Sequence, residues 1–290
     1  MAKATEHSFE EIGELAAGLD ALETAKDGGV KRSARVLNSV APLLAVAVVV
    51  AVWQLAIVIT KVPGWVLPSP DQVWQAIARQ AQSGLLWTSA GNSLRKGVEG
   101  FLIALAIGLP LGIALGLNKW LRAIFRPLLT GLQQLPSVAW VPAAIIWFGL
   151  SDATIFAVVL LGATPSIANG LISGIDQIPP IYLRAGRVLG ARGITYIKDI
   201  LLPAAWPGFL SGVEQGWAFA WRSLMAAELI AINPALGPGL GQMLDTARQL
   251  GDMAWVLGTI LVILTVGVLV ERLVFAPLRN RTLRNRGLVR

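Results

Sequence analysis

The run Gly100-Phe-Leu-Ile-Ala-Leu-Ala-Ile-Gly-Leu-Pro-Leu-Gly-Ile-Ala-Leu-Gly-Leu-Asn118 holds no charged side chain. Wound as an α-helix it rises ~1.5 Å per residue, close to the ~30 Å of hydrocarbon that about 20 apolar residues cross. Four further charge-free runs surround it: 36–60, 127–151, 153–175 and 253–270. Mean hydropathy is +0.65, and only 14% of the 290 residues are charged, against about 25% in soluble domains. A soluble enzyme is excluded. The pattern predicts an all-α integral membrane protein with six transmembrane helices, at roughly 40–60, 98–118, 127–150, 154–174, 198–226 and 254–274. The fifth span contains Glu214 and Arg222 but is dominated by apolar and aromatic residues, among them Trp206, Trp217, Phe219 and Trp221. The chain then divides into an N-terminal extension (1–38), a six-span domain (39–275) and a basic tail (276–290).

Absences narrow the chemistry. The chain has no cysteine and one histidine, His7, in the polar N-terminal segment. Disulfides, thiolate nucleophiles, histidine bases and the usual zinc constellations are therefore excluded. No G-x-x-x-x-G-K-[ST] phosphate loop occurs, and Gly237-Pro-Gly-Leu-Gly241 fits neither that loop nor the dinucleotide fingerprint, so it reads as a turn. Catalytic residues, a metal site and a resident cofactor are not expected.

Charge placement orients the spans. With both termini on one side, eighteen Lys and Arg residues fall on that side and five on the other, Arg222 lying within a span. The positive-inside rule makes the basic side cytoplasmic, and it accounts for a pI near 10.2 without nucleic acid. The first apolar run is too long for the core of a cleavable signal peptide. In the N-terminal extension Phe9, Ile12, Leu15, Leu19 and Leu22 recur at helical spacing, and Ser8 precedes Glu11 as a capping box would. A short amphipathic helix is expected there.

Three spans carry features beyond apolarity. Gly108, Gly112 and Gly116 recur every fourth residue in the second, the spacing that lets membrane helices approach closely. Gln133-Gln-Leu-Pro136 interrupts the third. Irregular backbone at membrane depth needs protein or a water-filled cavity beside it, so this span is a candidate path wall. In the fifth, Glu214, Trp217, Trp221 and Glu228 fall near one helical stripe with Arg222 about 80° away. Charges within a span face a bundle interior, a partner or water, which makes these five the candidate substrate path.

Between spans four and five lies Ile181-Tyr-Leu-Arg-Ala-Gly-Arg-Val-Leu-Gly190-Ala-Arg-Gly-Ile-Thr-Tyr-Ile-Lys-Asp-Ile200-Leu-Leu-Pro203, preceded by Asp176-Gln-Ile-Pro-Pro180. Pro suits the first helical position, so the segment reads as a short helix, a glycine turn at Gly190 and a second helix entering the fifth span. Apolar residues exposed on a cytosolic loop imply a partner surface.

In this loop the chain resembles the permease subunits of binding-protein-dependent ABC importers. Their signature is Glu-Ala-Ala, three residues, Gly, nine residues, Ile, one residue, Leu-Pro. Here Arg184-Ala185-Gly186, Gly190, Ile200 and Leu202-Pro203 stand at those places, with Arg184 and Gly186 departing in identity. The likeness spans about residues 40–275. Val66-Leu-Pro-Ser-Pro70, 135–149, and Ala226-Ala-Glu-Leu-Ile230 followed by Gly239-Leu-Gly241 are similar to the aliphatic sulfonate, taurine, nitrate and bicarbonate branch.

The resemblance implies the type I ABC importer permease fold in the cytoplasmic (inner) membrane, with a cytoplasmic coupling helix and both termini inside. It implies a non-enzymatic subunit pairing with a second permease copy as a homodimer. A cytosolic ATPase dimer would bind ATP and Mg, and an extracytoplasmic solute-binding protein would deliver a small anion. An aliphatic sulfonate is the first expectation; nitrate, taurine and bicarbonate are alternatives. An ion-coupled secondary transporter is the competing class, but such folds often carry internal repeats, and none is evident here.

Overall fold

A computed structural model of the chain describes residues 41, 44–233 and 236–286. The N-terminal extension with its expected amphipathic helix lies outside them. All regular structure in the described residues is helical. The chain divides into two compact units at Gly64. In the first, α1 (Leu44–Thr60) is an apolar helix with most of its side chains exposed. It stops where Lys61 adopts a left-handed φ of 49°.

The second unit begins with α2 (Pro70–Gln82), set by Pro70 at its first position and by a capping box between Ser69 and Gln72. Helix α3 (Leu85–Leu117) continues through Pro110 for 33 residues. Asn118 then ends α3 and caps α4 (Lys119–Gln134), its side chain accepting from the Trp120 and Leu121 amides. The expected third span is two helices. The chain breaks at Leu135-Pro136, forms a 3-10 turn (Ser137–Trp140) and resumes as α5 (Val141–Phe148), which Gly149 terminates at φ 68°. Helix α6 (Asp152–Asp176) follows.

Next come α7 (Pro180–Val188) and the single turn α8 (Gly193–Thr195). A π turn (Tyr196–Leu201) joins α8 to α9 (Leu202–Ile230). Helix α10 (Leu240–Gln249) is short. Helix α11 (Met253–Val270) runs through a second π turn (Glu271–Phe275) into α12 (Ala276–Asn285). The expected basic tail is thus helical to Asn285. Three helices among the described residues are long and apolar enough to cross a membrane: Leu85–Leu117, Asp152–Asp176 and Met253–Asn285. Helix α9, with 29 residues, extends ~44 Å.

Helix α6 is the axis of the packing. On one side Gly100, Gly108, Gly112 and Gly116 of α3 lie under Val159, Ile167, Leu171 and Ile175 of α6, the last three pairs about one turn apart. On the other side Gly170 and Gly174 meet Gly208 and Gly212 of α9 backbone to backbone. Lipid gives apolar helices no hydrophobic reason to associate, so close approach and dispersion contacts must supply the cohesion. At the C-terminal half of α9, Trp217 stands edge-on to Phe101 at 5.5 Å and stacks on Trp221 at 6.1 Å, with Phe275 alongside.

Candidate functional site

The loop between α6 and α9 is rooted by charge and turned by a glycine. Arg122 and Arg126 of α4 both pair with Asp176 at the end of α6. The hydrogen bonds to Asp176 raise the Arg122 pKa above its ordinary value. Helix α7 ends in a Schellman motif: the Ala191 amide donates to the Gly186 carbonyl (3.0 Å) and the Gly190 amide to that of Arg187 (3.1 Å). The motif needs a left-handed residue, and Gly190 supplies it at φ 85°. Gly186 is the point of contact with the returning chain. A Cβ there would lie 3.0–3.2 Å from the Ile200 side chain, so its absence lets Ile200 seat on α7.

Outward, the loop is apolar and open. Val188, Leu189 and Ile194 are 87, 84 and 81% exposed, and Ile181 and Tyr182 are exposed beside them. Arg184 and Ala185 share this exposed surface, Ile200 and Leu202 are half-buried, and Pro203 is exposed at the start of α9.

The structure separates the five residues expected along a path. Trp217 and Trp221 are only 5 and 7% exposed and form the aromatic core, so their stripe is the packed side of α9. Glu228 is sealed at the Ile230 end. Its carboxylate accepts from Ser93 Oγ (2.7 and 2.9 Å) and from the Gly241 amide (3.0 Å), while Ser93 Oγ accepts from the Leu240 amide (2.9 Å). Beside it Lys96, also buried, donates to the Leu236 carbonyl and pairs with Asp152, both at 2.9 Å. Glu228 and Ser93 therefore cap the start of α10, where negative charge is favoured. A Cβ on Gly239 would fall 2.6 Å from the Glu228 carboxyl carbon, and one on Gly241 would fall 2.6 Å from Glu228 Cβ. The glycines read as a turn are what let this carboxylate in.

The open face of α9 is a different stripe. Ser211, Gln215, Ala218 and Arg222 are exposed at intervals of four, three and four, within about 60° of helical arc. The signal was present in the sequence as small and polar residues at helical spacing, but the larger tryptophans outweighed it. Gln133 of the interrupted third segment faces the same side, lining cavities with Ser211 and Gln215 and with Arg222. Glu214 lies at the edge of this face, bonded to Arg279 of α12 at 2.8 Å. Arg222 has no carboxylate partner among the described residues; its Nε donates to the Ala218 carbonyl.

Apolar outer faces on long helices, with a polar stripe along one of them and an exposed apolar loop, mark an integral membrane protein. The chain belongs to the family of binding-protein-dependent transport system inner membrane components, whose pattern matches residues 108–276. It is similar to the taurine transport system permease protein TauC of Escherichia coli, 29% identical over 230 residues, 78% of this chain and 82% of that one. It is 30% identical over 232 residues to SsuC of Bacillus subtilis, named for aliphatic sulfonate transport, covering 80% of this chain and 83% of that one. To the bicarbonate transport system permease protein CmpB of Synechococcus elongatus it is 32% identical over 203 residues, 70% of this chain and 71% of that one. In fold it matches the MetNI methionine ABC transporter with a TM-score of 0.56 at 19% identity, covering 71% of this chain and 97% of that chain. The chain is a multi-pass permease subunit of an ABC importer for a small solute.

Proposed function

We propose that the chain is one of two identical six-span permeases in an ATP-driven importer of a small anion, with an aliphatic sulfonate as first choice. Both termini face the cytoplasm, an ATPase dimer binds beneath, and an extracytoplasmic binding protein delivers the solute. Taurine, bicarbonate and nitrate are the alternative solutes; the relatives named for sulfonate, taurine and bicarbonate support this set. Arg222 and Glu214 belong to the path, while Trp217, Trp221 and Glu228 hold the bundle that frames it.

The observation that carries this reading is the exposed apolar loop. Val188, Leu189 and Ile194 stand outside the apolar spans and are exposed among the described residues; a cytosolic surface of that kind is stable only against a partner. Arg184, Ala185, Gly186, Gly190, Ile200, Leu202 and Pro203 then act together as the coupling segment. ATPase closure would move α7, and the Gly186–Ile200 contact would pass the movement to α9.

The test is co-purification with the ATPase encoded as its candidate partner. Val188→Asp with Leu189→Asp is expected to lower recovered ATPase at least tenfold while leaving the permease monodisperse, because neither side chain is packed. Full recovery of the ATPase on the doubly substituted protein would contradict the docking surface.

A further inference from the structure

Two cavities open along the polar face of α9 and share Gln133 as a wall. The larger, about 440 Å³, is lined among others by Asn169, Ser211, Glu214, Gln215 and Arg279. The smaller, about 240 Å³, lies toward the Ile230 end and is lined among others by Gln134, Ser137, Phe219 and Arg222. Gln133 is fixed between them. Its Nε2 donates to Ser166 Oγ (2.8 Å) and its Oε1 accepts from Asn169 Nδ2 (2.7 Å), so both ends of the amide are occupied by α6. It is held as a septum between the two cavities.

The two cavities differ in charge. In the larger, Arg279 is neutralised by Glu214 at 2.8 Å and by Glu271 at 3.3 Å. In the smaller, Arg222 is the one charged residue of the lining among the described residues. Its Nε is held by the Ala218 carbonyl at 3.1 Å, and its guanidinium carbon stands 4.5 Å over the Phe219 ring. A guanidinium has five N–H donors. With Nε used and the guanidinium carbon over an aromatic face, both terminal nitrogens remain for a forked contact to an oxyanion. Gln134 and Ser137 bring neutral donors to the same space. At ~30 Å³ per water, the smaller cavity has the volume of about eight waters, which suits a small, partly hydrated anion.

The geometry points to this smaller cavity as a selection site for the oxyanion head group of a small solute, sulfonate or bicarbonate in kind, read by Arg222 with Gln134 and Ser137. The larger, charge-balanced cavity is its vestibule across Gln133. The site rests on the importer reading for its purpose, but its chemistry can be tested without transport.

The absence of cysteine allows single thiols to report without background. Ala218→Cys places a thiol one turn from Arg222, and Ser211→Cys places one in the vestibule. Each purified variant is treated with 2-sulfonatoethyl methanethiosulfonate and with the trimethylammonium reagent of similar size. The anionic-to-cationic rate ratio is expected to be at least tenfold higher for Ala218→Cys than for Ser211→Cys. Adding Arg222→Gln should remove that difference and leave the Ser211→Cys ratio unchanged. Millimolar ethanesulfonate or bicarbonate should slow labelling of Ala218→Cys, the more protective solute marking the head group preferred. Equal ratios at the two positions, a difference that survives Arg222→Gln, or no protection by either solute would overturn the site. Loss of ATP-driven uptake in a protein that still shows charge selection and protection would overturn the importer reading alone.

Discussion

Glu228 carries a carboxylate to a position only 1% exposed, and its surroundings show why it is kept there. Ser93 and the Gly241 amide give the carboxyl group hydrogen bonds in place of water, with the buried Lys96 nearby. Truncation leaves those donors without an acceptor, which costs more than the hydrogen bonds contributed. Glu228→Ala is therefore expected to destabilise the protein by about 1–3 kcal/mol, read as a drop of several degrees in the tryptophan-fluorescence melting midpoint. Glu228→Gln, which keeps an acceptor for Gly241, should lose distinctly less; equal losses would show that the cap is unimportant. The sequence revealed that Glu228 needed a partner but not which one. The partner is Ser93, 135 residues distant in the chain. Nothing local in the sequence marks Lys96 as buried against Asp152. Partners brought together by tertiary packing leave no local trace in a single sequence.

At the scale of elements, glycine spacing decides which helices can touch. Gly108, Gly112 and Gly116 were legible as a packing stripe because one helix carries all three at four-residue spacing. The closer α6–α9 contact was not, since each helix contributes only two of its glycines, Gly170 and Gly174 against Gly208 and Gly212. The two stripes have meaning only when placed together. Gly212→Ala would put a methyl group 2.5 Å from the Gly170 Cα and 3.1 Å from the Ser166 carbonyl. Overpacking of this kind costs ~1–3 kcal/mol and should appear as a lower thermal midpoint. Gly131 of α4 is the control, for a Cβ there meets nothing within 4 Å. Gly131→Ala should be neutral or stabilising by up to about 1 kcal/mol, and equal destabilisation by the two would contradict the close crossing. The break at Gln133–Pro136 was legible as irregular backbone. That Gln133 divides two cavities was not, because that depends on Ser166 and Asn169 of α6 holding its amide.

For the whole molecule, continuous helix joins the exposed apolar loop, the proposed partner surface, to the polar face of α9, the proposed path. Helix α7 seats Ile200 on Gly186, the π turn runs on into α9, and α9 carries Ser211, Gln215 and Arg222 on its open face. Helix α12 braces the start of α9, with Trp206 Nε1 donating to Thr282 Oγ1 at 3.1 Å and Arg286 donating to the Pro203 carbonyl. On the proposed coupling role, a displacement at the loop would act on a stiff lever. A partner that favours one arrangement of this lever by a few kcal/mol shifts most of the population, and ATP binding by the ATPase would supply that preference. The all-helical membrane fold and the permease family are readable in the sequence because hydrophobic length and residue spacing are properties of the chain itself. The most direct test of the account is uptake into proteoliposomes holding this permease, its ATPase and its binding protein. Labelled ethanesulfonate, taurine, nitrate and bicarbonate would be compared. The account predicts ATP-dependent accumulation of one of these anions, lost when any of the three components is omitted. Accumulation driven by an ion gradient with the ATPase absent would contradict it.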